Sequence, residues 1–237
     1  MKAKKIGILI YVCVLLLLIN LGLWQLRRAV EKQNYMDHKE TVLASTDIIN
    51  LTGTTEDNIE QSKYKKVKVV GYYDEDHQFL IDNQISAGKV GYLVLTPFIL
   101  ADQSRAVLVN RGWLPINQHR EDLPMLKMNV LPVEITGRIN SFPSVGIKLA
   151  GSETPSEGWP SVLQIVDTKI LAEKVGYKLF SFQVELDKES PEGFKREWQT
   201  NKIMSPDQHK AYALQWFALA IALTALFYWY SKKNRDE

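Results

Sequence analysis

The sequence predicts an integral membrane protein in which two transmembrane helices, one near each end, flank a mostly antiparallel β domain of the α+β class. Two apolar blocks, residues 6–26 and 211–230, have the length that crosses a bilayer core of roughly 30 Å as a helix. Between them, short segments alternate apolar and polar residues and are bounded by turn formers, which is typical of β-strands. We therefore expect an extracytoplasmic domain that is barrel-like or a folded sheet with one helix.

The first apolar block follows a basic start, so a cleaved secretory signal is an alternative to a membrane span. The apolar run is longer than a usual signal core, and it ends in "LGLWQLRR" rather than in the small residues that a signal peptidase requires. These features favour a retained transmembrane helix.

The charges at the two ends predict the orientation. Two spans place both termini on one side, and the Lys-rich tails at residues 1–5 and 231–237 favour the cytoplasm for that side. Arg27, Arg28 and Lys32 follow the first span and oppose this assignment. We expect a multi-pass protein of the cell inner (plasma) membrane, with both termini cytoplasmic and residues 27–210 in the periplasm.

The middle of the chain predicts its elements in order. Residues 27–45 are predicted to extend the first helix as a polar segment, and "TTEDNIEQS" (54–62) is predicted to be a loop. A single helix is expected within 167–178, with Asp167 or Thr168 as its cap. "ADQS" (101–104) is predicted to be a hairpin connection. Seven strands are expected within residues 64–74, 77–84, 90–100, 105–115, 131–140, 160–166 and 178–187.

Composition and motifs exclude several functions. The one cysteine, Cys13, lies in the first span, which leaves no intrachain disulfide and no paired-cysteine route to copper or thiol exchange. A net charge of +2 without a basic stripe argues against a nucleic-acid surface. Phosphate-binding, zinc-metalloprotease and serine-hydrolase motifs are missing from the sequence. We expect no enzyme and no catalytic residue.

Among the four histidines, His209 has distinctive neighbours. His38, His77 and His119 are expected to be solvated loop residues, since none has another ligand at metal-binding spacing. On a continuous helix Tyr212 and Trp216 share a face with His209 at i+3 and i+7. This face suits either a flat aromatic ligand at membrane depth or packing against another helix.

The outer end of the first span offers a matching surface. Trp24 and Arg28 share a helix face, and antiparallel pairing of the spans brings this end to that of His209. Gln25 and Gln215 are then expected to bond each other as helix-pairing residues.

Arg111 ends a hydrophobic strand in "VLVNRGWLP". Its guanidinium is suited to bind a carboxylate bidentately, and the alternative is an ion pair with an acid at the edge of the domain.

Five segments resemble the surfeit locus protein 1 family in the family's own order. The arginine-glycine-tryptophan and histidine-to-tryptophan segments are the most specific. The five are "LGLWQLRR" (21–28), "GYLVLTPF" (91–98), "VLVNRGWLP" (107–115), "TGR" (136–138) and "HKAYALQWFALA" (209–220).

The resemblance implies a function in the biogenesis of cytochrome c oxidase. Members of the family are linked to maturation of oxidase subunit I and, in bacterial relatives, to binding of haem a. The implied partners are subunit I, other oxidase assembly factors and the haem a synthesis machinery. Carried onto this chain, the resemblance makes His209 the candidate axial ligand of the haem iron. The candidate cofactor site then comprises His209, Tyr212, Gln215, Trp216, Trp24, and Arg28 and Arg111 toward the propionates.

Three functions of different classes stay open. The leading one is a non-enzymatic assembly factor, or chaperone, that binds or delivers haem a at the membrane surface. The second is a membrane-anchored scaffold that stabilises oxidase assembly intermediates without a cofactor. The third is an enzyme acting on haem or lipid, for which the sequence shows no cluster of titratable residues.

Overall fold

The computed structural model describes residues 2–51, 62–103, 105–128, 132–144, 146, 148, 150–198 and 204–233, and only the backbone of residues 2–4. The chain divides into two compact units. One comprises Met1–Thr41 with Thr200–Glu237, and the other comprises Val42–Gln199. The predicted loop at residues 54–62 lies outside the described residues except for Ser62.

The first unit is built from the two terminal helices, α1 (Lys2–Ala44) and α3 (Pro206–Lys233). Both are long and apolar enough to cross a membrane. Their large apolar side chains are mostly exposed, for example Leu9 at 63% and Ile221 at 71%, whereas the core helix of a soluble protein would bury them. The helix α1 continues well past Leu26, which confirms the predicted helical extension.

The two helices pair antiparallel, as the sequence predicts. Tyr11 stacks on Phe227 with ring centres 4.1 Å apart, and its hydroxyl donates to Thr224 Oγ1 at 3.1 Å. Nearer the other end of the pair, Gly22 lies against the ring of Phe217, where a Cβ atom would come within 2.6 Å of the ring. A side chain at this position would therefore have to displace the Phe217 ring, and glycine lets the two helices approach closely.

The second unit contains eight strands and one helix among its described residues. These are β1 (Ile48–Asn50), β2 (Lys66–Tyr73), β3 (Phe79–Ser86), β4 (Lys89–Leu100), β5 (Ala106–Pro115), β6 (Val133–Asn140), β7 (Ser161–Leu163), α2 (Thr168–Val175) and β8 (Leu179–Leu186). Seven of the strands coincide with the predicted segments, although β3 runs two residues past its segment, to Ser86, and β4 begins one residue before its own, at Lys89. The strand β1 is the one that sequence reasoning missed.

The sheet closes on itself. The order β2-β6-β8-β5-β4 is completed by a further antiparallel pairing of β2 with β4, in which Tyr73 lies opposite Phe98. The strands β3 and β7 extend the sheet beyond β4, and β1 lies beside β2. The domain is therefore barrel-like, which decides between the two sheet forms that the sequence left open.

The strand pairing is less uniformly antiparallel than expected. Five of the pairings between described strands are antiparallel, but β1 with β2, β3 with β7 and β5 with β8 are parallel. Local patterns predict the hairpins, such as β4 with β5 across the predicted turn, because their strands adjoin in sequence. The parallel pairs join strands that are distant in sequence or need a crossover, which no local pattern reveals.

Alternation and capping account for how these elements form. In β2, Val67 and Val69 enter the core while Lys66 and Lys68 stay exposed. The helix α2 begins after Asp167, whose Oδ1 accepts from the backbone N–H of Lys169 at 2.9 Å. This confirms the predicted cap.

Candidate functional site

The start of α3 places His209 at its first turns. Ser205 and Gln208 form a capping box, in which Gln208 N–H donates to Ser205 Oγ at 3.2 Å and Ser205 N–H donates to Gln208 Oε1 at 2.9 Å. Pro206 follows the cap, where its missing N–H costs nothing. These local signals fix where the helix begins and therefore which way the imidazole faces.

His209 is bonded to Gln25 across the helix pair. Its Nδ1 lies 2.7 Å from Oε1 of Gln25, and the two residues are only 6% and 9% exposed. Since the amide oxygen can only accept, Nδ1 carries the proton and donates, which leaves the lone pair on Nε2. Within the described part of the chain, no second hydrogen bond to the imidazole is formed.

The expected bond between Gln25 and Gln215 is wrong. Gln215 is exposed, and Gln25 bonds to His209 instead. Six positions along a helix rotate a side chain by about 240°, so His209 and Gln215 cannot both face α1.

The other predicted site residues of the helical unit are more exposed than His209. Trp216 is half-buried, whereas Tyr212 is 47% exposed and Trp24 is 50% exposed. Arg28 is half-exposed and its Nη1 donates to Glu31 Oε2 at 2.6 Å, one turn along the same helix. Among the described residues, the imidazole of His209 forms a hydrogen bond to Gln25, which was not in the predicted set, and to none of the predicted site residues.

Arg111 lies in the other unit, at a bulge of β5. The register of β5 against β4 shifts between Val94 and Leu95, so no residue of β4 lies directly opposite Arg111. Gly112 beside it has a φ of 113°. Bulges re-aim side chains, and the left-handed φ accounts for the glycine that follows the arginine. The result is a guanidinium that is only 2% exposed.

Protein groups occupy two edges of that guanidinium. The Nε of Arg111 donates to the backbone oxygen of Glu192 at 2.6 Å. Its Nη1 donates to Gln78 Oε1 at 3.0 Å and to Thr96 Oγ1 at 3.3 Å. The carboxylate of Glu192 is 3.8 Å from Nη2, an ion pair with an acid of the kind that the sequence offered as the alternative for this residue. Because Nε and Nη1 already donate to protein groups, the guanidinium does not have two free N–H groups side by side for bidentate binding of an external carboxylate.

Two aromatic rings complete the surroundings of Arg111. Its Cζ lies 4.9 Å from the ring centre of Phe194 and 6.0 Å from that of Tyr73. Burial lowers the pKa of Arg111 from its ordinary value, and burial raises the pKa of Tyr73 to about 12. Sequence reasoning missed Tyr73 because it continues the buried side of β2 and looks like an ordinary core residue.

A second polar cluster surrounds His77, which the sequence assigned to a solvated loop. Its Nδ1 lies 2.7 Å from Asp74 Oδ2, which also accepts from the hydroxyl of Tyr177 at 2.7 Å. His77 is thus a half-exposed and bonded residue. Among the described residues, no group of three or more His, Cys, Asp or Glu side chains could hold a metal ion.

Comparisons with known proteins give one consistent family. A model of the SURF1 family matches residues 12–221. The chain is 26% identical over 244 residues to a SURF1-like protein of Rickettsia bellii, a match that covers 98% of this chain and 92% of that protein. It is 24% identical over 260 residues to Surfeit locus protein 1 of Arabidopsis thaliana, covering 88% and 73%.

A shorter match is to the cytochrome oxidase assembly protein SHY1 of Saccharomyces cerevisiae. The two are 32% identical over 114 residues, which is 48% of this chain but 29% of the yeast protein. The chain therefore spans well under two thirds of that relative. Because the family model covers most of the sequence and the long matches carry the family name, the chain belongs to the SURF1 family.

Proposed function

We propose that this chain assists the assembly of cytochrome c oxidase, acting with subunit I as it matures and with other oxidase assembly factors. The observation that carries this role is the family match over residues 12–221, together with the oxidase-assembly function for which the yeast relative is named. The role is that of a chaperone in the biogenesis of the respiratory chain, and it assigns no catalytic residue.

The proposal places α1 and α3 in the cell inner membrane, with both termini in the cytoplasm and the β domain in the periplasm. Support comes from two helices of sufficient length whose apolar side chains lie exposed. The Lys-rich tails favour the cytoplasmic side for both ends.

In this proposal the imidazole of His209 would hold the iron of haem a through Nε2. A bound haem a would supply an iron that an imidazole nitrogen can ligate. Gln25 holds Nδ1, so that Nε2 keeps its lone pair and has no bond to another described residue. Trp216 lies half-buried on the same helix, while the propionate roles of Arg28 and Arg111 stay predictions.

One observation favours the cofactor-free scaffold as a second candidate. The bond between Gln25 and His209 is also a complete helix-pairing contact, since both side chains are buried between the spans. In that case the pair stabilises the membrane anchor, and oxidase intermediates are held without haem.

The experiment deletes the gene and restores it as wild type, as His209→Ala, or as His38→Ala. His38 is the matched control, because it is an exposed histidine on α1. We expect deletion to lower assembled oxidase in membranes while subunit synthesis continues. The haem-binding role further predicts that His38→Ala restores the oxidase and that His209→Ala does not, at equal protein levels.

Unchanged oxidase content after deletion, under conditions that require the enzyme, would contradict the assembly role. Full restoration by His209→Ala, with no haem a absorption in the purified wild-type protein, would leave the scaffold as the function.

A further inference from the structure

Among the described residues, the Nη2 group of Arg111 has an ion-pair partner but no hydrogen-bond acceptor. Its Nε and Nη1 donate to Glu192, Gln78 and Thr96. Its Nη2 lies 3.8 Å from the carboxylate of Glu192, which is too long for a hydrogen bond. Within the described part of the chain, Nη2 therefore has N–H groups without a hydrogen-bond acceptor; the residue is 2% exposed, and this atom is not fully buried.

Tyr73 presents a second unsatisfied donor beside it. The residue is 3% exposed, and its hydroxyl oxygen has no hydrogen-bond partner among the described residues. Its ring centre lies 6.0 Å from Cζ of Arg111. A buried hydroxyl without a partner costs free energy, so native structures keep few of them, and each calls for an explanation such as a catalytic role or a bound water or ion.

The two groups together define the chemistry of a ligand. An arginine N–H and a phenol O–H can each donate to one oxygen of a carboxylate, and such charge-assisted bonds are the strong ones. The site already attracts a carboxylate, that of Glu192, but does not bond it. We propose that Arg111 and Tyr73 form a binding site for the carboxylate of a ligand, which enters as the side chain of Glu192 moves outward.

The electrostatics of the cluster agree with this assignment. Burial lowers the pKa of Arg111, as expected for a cation that lacks full compensation, and an incoming anion would supply it. The pKa of Tyr73 is raised, so the phenol keeps its proton at neutral pH and remains a donor. Arg196 adds a second positive charge that acts on both groups.

In the segment that carries Glu192, the backbone is held in place while the side chain is free to change its rotamer. Arg196 Nη1 donates to the backbone oxygen of Ser190 at 2.8 Å, and Phe194 N–H donates to the backbone oxygen of Arg111 at 2.7 Å. The backbone is thus fixed on both sides of Glu192, whereas its side chain is 36% exposed. The carboxylate can turn into solvent without moving the segment.

The test uses the full chain in detergent micelles and sodium acetate as the probe, with sodium chloride at the same ionic strength as the reference. We expect acetate to raise the unfolding temperature of the wild-type chain and chloride to do so much less. Tyr73→Phe should fold normally, because no hydrogen bond is lost, but should bind acetate about tenfold more weakly. Glu192→Gln should bind it more tightly, since the competing carboxylate is gone.

Tyr177→Phe is the matched control. It also removes a hydroxyl from the same unit, but that hydroxyl belongs to the Asp74 cluster, so acetate affinity should be retained. A synthetic peptide with a free terminal carboxylate, compared with its amidated form, distinguishes a protein ligand from a small free acid. Equal effects of acetate and chloride, or wild-type acetate affinity in Tyr73→Phe, would overturn the proposal, and neither outcome depends on haem binding by His209.

Discussion

Nδ1 of His209 and Oε1 of Gln25 lie 2.7 Å apart, although 184 positions separate the two residues in sequence. The contact joins the two terminal helices at a buried point and sets the tautomer of the imidazole. Gln25 is therefore a positioning residue for any ligand that His209 binds through Nε2.

We expect Gln25→Leu to abolish the preference for the Nδ1–H tautomer, because leucine offers no acceptor. Gln25→Glu should keep that preference, since a carboxylate also accepts. Nitrogen NMR of the His209 ring in the haem-free protein measures the tautomer directly. If haem a binds, loss of the hydrogen bond between Gln25 and His209 should weaken haem binding by about tenfold or more. Identical ring spectra in wild type and Gln25→Leu would refute the role of Gln25.

The second prediction concerns His209 itself. In a purified haem-bound protein, His209→Ala should abolish or shift the Soret and low-spin absorption, because alanine supplies no axial nitrogen. Trp216→Phe should have a smaller effect, since it keeps a ring and loses only an indole donor and some contact area. An unchanged haem spectrum in a correctly inserted His209→Ala protein would remove this residue as the ligand.

The third prediction concerns the close approach of the two helices. Gly22→Leu should destabilise the helix pair by roughly 1–3 kcal/mol, because the new side chain must displace the ring of Phe217. Gly7→Leu is the control, since a Cβ at Gly7 meets nothing within 4 Å. Thermal unfolding of both variants in the same detergent measures the difference, and equal stability would show that the packing at Gly22 is not required.

The fourth prediction concerns the orientation in the membrane. A reporter fused after Glu237 should be active in the cytoplasm, and one inserted into residues 54–62 should be active only outside it. Two helices of membrane-spanning length and Lys-rich tails are the basis. A periplasmic C-terminus, or cleavage of the first apolar segment, would contradict this arrangement.

The fifth prediction concerns alkaline pH. Burial raises the pKa of Tyr73 from 10.0 to about 12, so folding disfavours the phenolate. The resulting stability is fully present below pH 10 and is lost as the pH rises through 12. Between about pH 9 and about pH 12 the wild type should therefore lose roughly 2 kcal/mol more than Tyr73→Phe. Urea unfolding at several pH values measures this, and parallel curves would show that Tyr73 does not titrate as expected.

The sequence by itself determined the elements whose causes are local. The apolar length of the two terminal helices, the alternation of Val67 and Val69 with their lysines, and the cap at Asp167 are each visible within a few residues. The residues of five short segments, and their order along the chain, were also enough to identify the family. His209 was recognisable because an imidazole at the mouth of an apolar helix is costly to bury unless it has a polar partner or a ligand.

The tertiary structure decided which residues meet. Closure of the barrel through β2 and β4, the parallel pairing of β5 with β8, and the partner of Gln25 all join distant parts of the chain. Tyr73 shows the same limit, since a tyrosine in the alternating pattern of β2 gives no sign that its hydroxyl lies buried beside Arg111 without a partner among the described residues. The physical reason is that side-chain periodicity fixes the face of an element, whereas strand register and helix rotation, set by packing across the fold, fix what that face contacts.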